Sequence, residues 1–585
     1  MKGGSFAGKF FYGALFMVIL PGIAIYWAAT LDATIDWRAP KLPILAVGVT
    51  LLGLLMILIG MLHLAIWGRG LPMNAYPPKQ LVTRGIYSLF PHPIYVGAVL
   101  VSTGISLWYR SSSGLYIVTP LIAGMILSLL YGYELPTMEK RFGNAMARYR
   151  PLFALPAASL GKATWPKKIA MLVVIWLPWG AAWYLIDYAR HSSARAGGVF
   201  ASLLYAQPAQ SWTGALWFIP SIFIVGWLLL ARTESGLRHA AIAGAFAAAA
   251  SLYLYIVAAG FGWHESDNPG VLALANGVIL LLAVSYHFVW SALQNISERI
   301  ANSRRDWLLA AGRFRIINHS LYSGVAAAVG VGIASYVVGN ALAVLIIAVC
   351  ALIGAALYAQ LSWGSTALLR PFGYWGAILG GVVGGFLVHV LFGIPLSQLG
   401  LAGVLGAPFA QAVGRLRCLV QGCCHGTVTS KALGIRVWQS QSRVVTNSGL
   451  KGEYILNTQL YSILFNVPLG LLLLSMWLSH GVHSTAIIGL YFILTGIERF
   501  TEDAYRGERQ VKRIGALREN QWIALASVLV GILISILPSP LPGIPHSGWL
   551  DQGFFVSMIT VGLLTAFAMS MDFPQSTLPF SRLSG

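Results

Sequence analysis

Apolar runs close to the length of one bilayer crossing recur along nearly the whole chain, and no other feature constrains its fold as much. They lie near 10–29, 43–67, 94–109, 115–132, 169–186, 214–231, 239–261, 271–291, 320–339, 341–361, 373–393, 400–413, 459–478, 484–498, 521–537 and 553–570. A helix needs roughly 20 residues to cross the hydrocarbon core. Every backbone N–H and C=O in lipid must be satisfied inside the protein, which admits only helices and closed barrels. These runs are too long and too evenly apolar for barrel strands. The sequence therefore predicts an all-α, polytopic membrane protein with about 15–16 transmembrane helices, the short run at 400–413 being the weakest. The first run follows Lys2 and Lys9, contains Pro21 and ends without a small-residue cleavage site, so it is expected to be a retained helix rather than a signal peptide.

Composition agrees, with 57% hydrophobic and 10% charged residues against about 25% charged in soluble domains. A net charge of +20 raises nucleic acid as a partner, but no segment interleaves basic and aromatic residues on a soluble face. Lysines and arginines that anchor helices and face anionic lipid account for it. Polar stretches at 134–168 and 297–315 cut the chain into three blocks, 1–168, 169–314 and 315–585. Threading with the N-terminus inside puts 68–93, 134–168, 232–238 and 297–315 in the cytoplasm, where basic loops belong. It puts 414–453 and 499–519 outside, although both are rich in arginine and lysine. Either the count is one span off or these arginines meet an anion on the outer face. The second is expected, because charges at the membrane tend to be functional.

In the first block, "GRGLPMNAYPPKQLVTRGIYSLFPHPIYVG" (68–97) is rich in Gly, Pro and Tyr, and "YELPTMEKRFGNAMARYR" (133–150) opens at the membrane edge. Taken singly, His92 before a proline and Glu134 at a helix end have ordinary structural readings. Together, Leu81-Val82, Gly85, Tyr87, His92-Pro93, Tyr95, Gly97, Glu134 and Phe142-Gly143 with Tyr149 resemble the membrane methyltransferases of isoprenylcysteine and phospholipids. The resemblance implies an S-adenosylmethionine site on the cytoplasmic side, built from Gly85, Tyr87, His92, Pro93, Tyr95, Gly97 and Glu134. Two positions depart from the family pattern. Pro91 stands for its arginine and Tyr133 for one of its paired carboxylates.

The middle block offers four spans and little chemistry. His264, Glu265 and Asp267 read as a solvated turn, His287 as a core residue, and the block as scaffold.

Three pieces stand out in the last block: "PFGYWGAILGGVVGG" (371–385), "GRLRCLVQGCCHG" (414–426), and "NTQLYS" (457–462) with "YFILTGIERFTEDAYRG" (491–507). Arg499 and Arg506 lie seven apart on one helical face with Asp503 between them. Guanidinium forks suit phosphate or carboxylate, so with Arg415 they predict either a phospholipid head-group clamp or a buried ion-pair network. The set resembles prolipoprotein diacylglyceryl transferase, whose "GRxxNFxNGExxG" signature falls without gaps on Gly414–Gly426. Gln459, Leu460 and Tyr461, then Arg499, Phe500, Asp503 and Arg506, then Gln521, follow that family's order over about 315–537. The resemblance implies chemistry toward the outer face. It makes Arg415, Arg499, Arg506, Asp503, Cys423 and His425 the candidate catalytic residues, and Gly414, Gln459, Tyr461 and Trp375 the candidate lipid-binding ones. The family's histidine falls on Trp375, its asparagine on Cys418 and its glutamate on Cys423, so proton-transfer and carboxylate functions are gone.

Cys418, Cys423 and Cys424 leave four readings open. These are a disulfide in an oxidising compartment, a nucleophilic thiolate, a metal site, and plain packing. No metal is expected, because no distant Cys or His pair accompanies them. The whole reads as a lipid-modifying transferase of a bacterial cytoplasmic membrane. It would draw a diacylglyceryl-type group from a phosphatidylglycerol-like lipid, for an acceptor lipid or lipoprotein left open, and couple this to a methyltransferase-like block. The alternatives are a non-catalytic lipid-binding or lipid-moving protein and a diacylglyceryl transferase of lipoprotein maturation.

Overall fold

A computed structural model describes residues 6–33, 39, 42–70, 78–149, 151, 292–303, 309–311, 314–316, 320–363, 374–431, 433–478, 482–508, 513–539 and 552–572. The chain divides into two compact units, 1–290 and 291–585. The spans expected at 169–186, 214–231, 239–261 and 271–291, with His264, Glu265, Asp267 and His287, lie outside the described residues.

The first unit contains α1 (Leu15–Asp32), α2 (Pro43–Gly68), α3 (Pro93–Tyr109) and α4 (Gly114–Phe142). Pro43 and Pro93 open their helices where a missing N–H costs nothing. α2 and α3 touch backbone to backbone through glycines. A Cβ on Gly53 would come within 2.7 Å of the Gly97 carbonyl oxygen, and one on Gly97 within 2.6 Å of the Gly53 oxygen. Small residues at such crossings allow the close van der Waals contact that holds helices together in lipid. At the end of α1, Asp32 accepts from the Ser113 N–H at 2.8 Å and the Ser112 hydroxyl at 3.1 Å, joining α1 to the start of α4. α4 carries π turns at Gly114–Val118 and Leu130–Glu134, the second ending on Glu134.

The second unit contains α5 (Ser320–Val338), α6 (Ala341–Trp363), α7 (Tyr374–Phe392), α8 (Leu396–Gln421), α9 (Thr458–Leu478), α10 (Ser484–Ala504), α11 (Glu519–Ser535) and α12 (Gln552–Ser570). α5 packs on α8 and α12, α6 on α7, α9 on α8, and α10 on α11. Short strands form three small antiparallel sheets. β1 (Leu309–Ala311), β2 (Phe314–Ile316) and β7 (Met571–Asp572) make one, β3 (Gly434–Arg436) with β4 (Tyr454–Leu456) another, and β5 (Arg513–Ile514) with β6 (Leu517–Arg518) the third. Each apolar run that falls within the described residues is a helix. Among the described residues, six helices are long and apolar enough to cross a membrane, and five shorter apolar ones accompany them. This is a mostly helical, multi-pass membrane protein.

Two expectations are corrected. The weak run at 400–413 is the core of the 26-residue α8, which continues through Gly414, Arg415 and Cys418 and ends at the left-handed Gly422. Counting apolar residues stops at the first arginine, but the backbone does not. Four helices therefore separate 316 from 422, and an even number of crossings returns the chain to the side it left. The threading that put 414–453 opposite 297–315 had omitted α8.

Contacts agree. A helix over 292–301 packs on the β3–β4 hairpin, and Ala301 joins a cluster with Leu419, Ile435, Val437, Val444 and Ile455. The Asn302 Oδ1 accepts from the Trp438 N–H at 2.7 Å, its Nδ2 donates to the Arg436 carbonyl at 3.0 Å, and Glu298 accepts from the Arg436 N–H at 3.0 Å. These basic segments lie on one side, and the apparent breach of the charge rule was a miscount. The helix over 292–301 belongs to the second compact unit, 291–585.

Candidate functional site

In the second unit, "GRLRCLVQGCCHG" is the last two turns of α8 and a tight turn. Gly422 ends the helix with φ +77°, and a Cβ there would meet the Ser442 hydroxyl at 2.0 Å. Gly426 lies so close to β4 that a Cβ would meet the Leu456 carbonyl oxygen at 2.5 Å. The Thr427 N–H donates to the Tyr505 carbonyl and the Gly507 N–H to that of His425, so the turn is stitched to the end of α10. Gly414 lies in ordinary contact with Ala326 of α5.

That stitching brings Arg415 from α8 to Arg499 and Glu502 at the end of α10 and Arg506 just beyond it. Arg415 Nη2 donates to Glu502 Oε2 at 2.6 Å and its Nε to the Ser462 hydroxyl of α9 at 2.9 Å. Arg499 Nη1 donates to the same Oε2 at 2.9 Å. Arg506 donates to Oε1 through Nε at 3.2 Å and Nη2 at 3.1 Å. Glu502 is buried, with 5% of its side chain exposed, while Arg499 keeps 32% and Arg415 14%. One carboxylate thus gathers three guanidiniums from two helices, and two of them share one of its oxygens.

The expected Arg–Asp–Arg arrangement is replaced. Glu502, not Asp503, is the bridge. Asp503 is fully buried, accepts from Asn520 Nδ2 at 3.0 Å and stands 3.8 Å from Arg506 Nη1. Glu502 stands three residues after Arg499 and four before Arg506, the spacing that identifies it in the sequence, whereas the motif alignment points to its neighbour.

The other candidates take different places. Gln459 is buried and donates to the Cys423 carbonyl at 2.8 Å, so its amide holds the turn. His425 is buried, with Nδ1 at 3.1 Å from the Gly422 carbonyl and Nε2 at 3.0 Å from the Ser448 hydroxyl. Burial lowers its pKa and keeps it neutral. Both ring nitrogens are engaged in the fold, so His425 locks the turn rather than moving a proton at the arginines. Tyr461 lies on the first turn of α9, its N–H bonded to the Asn457 carbonyl. Trp375 lies on the first turn of α7, and its side chain is outside the described residues. Gln521 accepts from the Arg518 N–H at 3.1 Å and donates to the Phe500 carbonyl at 3.3 Å, tying α11 to α10.

Cys418, Cys423 and Cys424 are free thiols whose Sγ atoms lie within 4.8 Å of one another, so the disulfide reading is not what the fold adopts. Hydrogen bonds from the other two thiols, with Arg506 and Arg415 nearby, hold the Cys424 thiol well below its ordinary range, and the same bonds push Cys423 up.

In the first unit the motif residues gather at one end of α2, α3 and α4. Gly85 has φ +61°, and a Cβ would meet the His63 ring at 2.3 Å. His63 Nδ1 accepts from the Ile86 N–H at 3.2 Å. Sequence reasoning passed over His63, which looks like one polar residue in an apolar helix. Tyr87 donates to the Gly60 carbonyl at 3.3 Å, and Tyr149 to the Tyr87 carbonyl at 2.6 Å. His92 caps α3 ahead of Pro93, and burial lowers its pKa to about 4. The Tyr95 hydroxyl donates to the Glu134 carboxylate. For a methyl donor bearing ammonium and sulfonium groups, Glu134 is the fitting anion. Pro91 offers no cation to the donor's own carboxylate.

A helical membrane protein with one buried arginine–carboxylate site and one glycine-lined tyrosine–carboxylate site is the class these features define. Residues 307–537 match the family model described as Prolipoprotein diacylglyceryl transferase, and residues 42–145 that described as Phospholipid methyltransferase. The chain thus carries a segment similar to each family. A curated relative, "Phosphatidylglycerol--prolipoprotein diacylglyceryl transferase 2" of Clostridium perfringens (strain 13 / Type A), is 30% identical over 172 residues, 28% of this chain and 64% of the relative. The "Phosphatidylglycerol--prolipoprotein diacylglyceryl transferase" of Clostridium tetani (strain Massachusetts / E88) is 27% identical over 163 residues, 27% of this chain and 61% of the relative. The chain spans less than two thirds of the length of either relative.

Proposed function

We propose that this protein is a lipid-modifying transferase of a bacterial cytoplasmic membrane. Its second unit takes a diacylglyceryl-type group from an anionic phospholipid of the phosphatidylglycerol class. The observation that carries this reading is the convergence of Arg415 and Arg499 on one oxygen of Glu502. A guanidinium has five donors, and Glu502 orients two such forks side by side without consuming them. A phosphate diester fits that pair. A nucleophile attacks the glycerol carbon, the carbon–oxygen bond to phosphate breaks, and the electron pair leaves on the phosphate. Arginines preplaced for that charge stabilise the transition state more than the ground state. Arg506, held by Glu502, Asp503 and Glu508, is a positioning residue in this scheme. The acceptor is a thiol or hydroxyl of a lipid or lipoprotein. The name of the relatives favours a phosphatidylglycerol donor.

The first unit would hold S-adenosylmethionine through Glu134, with Tyr95 fixing the carboxylate, whereas Gly85 and Gly97, expected to line that site, are taken up by packing on His63 and on Gly53. When bound, that cofactor supplies an electrophilic methyl group. His92 is held neutral by burial. Joined in one chain, the two units would act on one lipid or on successive lipids.

The test uses membranes carrying the protein and phosphatidylglycerol labelled in its terminal glycerol. Labelled glycerol phosphate should be released by the unaltered protein and lost with Arg415→Ala. Equal release from both proteins refutes the assignment, and lipid binding without release favours a non-catalytic lipid carrier.

A further inference from the structure

We propose that Cys418, Cys423 and Cys424 form a zinc site. The three Sγ atoms lie within 4.8 Å of one another, and zinc–thiolate bonds of about 2.3 Å place sulfurs on a common tetrahedral ion roughly 3.8 Å apart. The sulfurs would have to close by at most about 1 Å to share the ion.

The backbone bearing these sulfurs is already held. Gln459 donates to the Cys423 carbonyl at 2.8 Å, the Thr458 hydroxyl to the Cys424 carbonyl at 2.5 Å, and the Cys424 N–H to Glu508 Oε1 at 2.8 Å. Cys424 itself sits at φ +57°, a left-handed conformation that a residue with a Cβ holds only when its surroundings impose it. With that turn the fold aims Cys423 and Cys424 back at Cys418 on the last turn of α8. Outer-shell bonds of this kind fix metal ligands in place, and as a packing device for three small side chains they would be excessive.

Charge fits as well. Three thiolates on a divalent ion carry a net single negative charge, and Arg415 and Arg506 stand within electrostatic reach of Cys424. Soft thiolates select zinc or copper(I) over harder ions. His425 is taken by Gly422 and Ser448, so three protein ligands leave a fourth position. That is the pattern of zinc sites that bind water or substrate rather than closed structural ones. Resting on the proposed transferase reading, the fourth position would take the acceptor's thiol or hydroxyl, whose proton would pass to water as the metal-bound anion forms, supplying a nucleophile beside the head-group arginines. Metal binding itself does not depend on that reading.

The experiment measures metal in the full-length protein, purified in detergent under reducing conditions. About one zinc per chain is expected, falling several-fold in C418S, C423S and C424S, while C350S, at a cysteine on α6, retains it. To separate loss of the site from misfolding, unaltered protein is stripped with chelator and reloaded with cobalt(II). A thiolate-to-cobalt charge-transfer band should appear and be displaced by zinc. Absence of both stoichiometric zinc and the cobalt band overturns the site. So does an intramolecular disulfide among the three cysteines found by mass spectrometry of protein handled anaerobically. Zinc bound without glycerol phosphate release leaves the site standing and removes the transferase reading. Release persisting undiminished after zinc removal leaves the transferase reading and removes the nucleophile role.

Discussion

Glu134 and Glu502 are both carboxylates near the end of an apolar helix, and their neighbours make them opposites. Glu134 is met by a neutral tyrosine hydroxyl and sits with a neutral histidine nearby. The donor to its carboxylate is uncharged. Glu502 is surrounded by three guanidiniums, so its charge is spent on assembling cations for an anion. On the proposed function, the same residue type in the same kind of position would prepare one unit for a positively charged ligand and the other for a negative one. In a membrane, what a polar residue does is set by the one or two groups allowed near it.

The sharpest way to break this contrast is Glu502→Gln. Removing one partner of a buried ion pair costs about 3–5 kcal/mol because the remaining charges are left uncompensated. Thermal unfolding in detergent should show a large fall in the second unit's midpoint, and no fall would mean the arginines are not held as described. Next, Arg499→Ala removes the more exposed guanidinium. It should lower transfer by about 10²–10³-fold, as for other preplaced charge donors, with a small change in stability. A large stability loss without a rate effect would make Arg499 structural.

The first unit should instead respond to acid. Burial lowers His92 from 6.5 to about 4, so the unfolded chain takes up the proton first as pH falls. The contribution is complete above about 6.5 and lost by about 4, at most about 3 kcal/mol. Unfolding measured across that range, against His92→Gln, should show the slope flatten, and an unchanged slope removes the role. The smallest effect belongs to Glu134→Gln, which keeps a hydrogen-bond acceptor for Tyr95 and should cost about 1 kcal/mol or less. S-adenosylmethionine should nevertheless no longer shift the melting temperature. If it still does, Glu134 is not the anion for that cofactor.

Much of the fold is legible in the sequence because the bilayer demands long apolar helices, and each run within the described residues marks one. The exception shows the limit of that rule. α8 reads as doubtful because Arg415 and Arg417 end its apolar run, although a helix end at the membrane edge is where such arginines are at home. Losing one helix from the count reversed the side assigned to everything after it. In the site, Arg415, Arg499 and Arg506 were readable from spacing and residue type, but their shared partner was not. Alignment to a motif favoured Asp503, and only the helical turn distinguishes it from Glu502. The free thiol trio was hidden for another reason. Cys418 closes a helix and Cys424 adopts a left-handed turn, and neither is visible as a spacing rule.

The helix over 292–301 has a practical consequence for anyone dividing the chain. It looks like the tail of the preceding block, yet its Asn302 and Glu298 satisfy backbone groups of the hairpin behind Arg415. A fragment begun at residue 315 would strip the hydrophobic cover from Leu419, Ile435 and Ile455. It would also leave the Arg436 and Trp438 N–H groups without these acceptors. Such a fragment would report inactivity for a reason unrelated to catalysis. A cut intended to isolate the second unit belongs before Ser291, where the two compact units part.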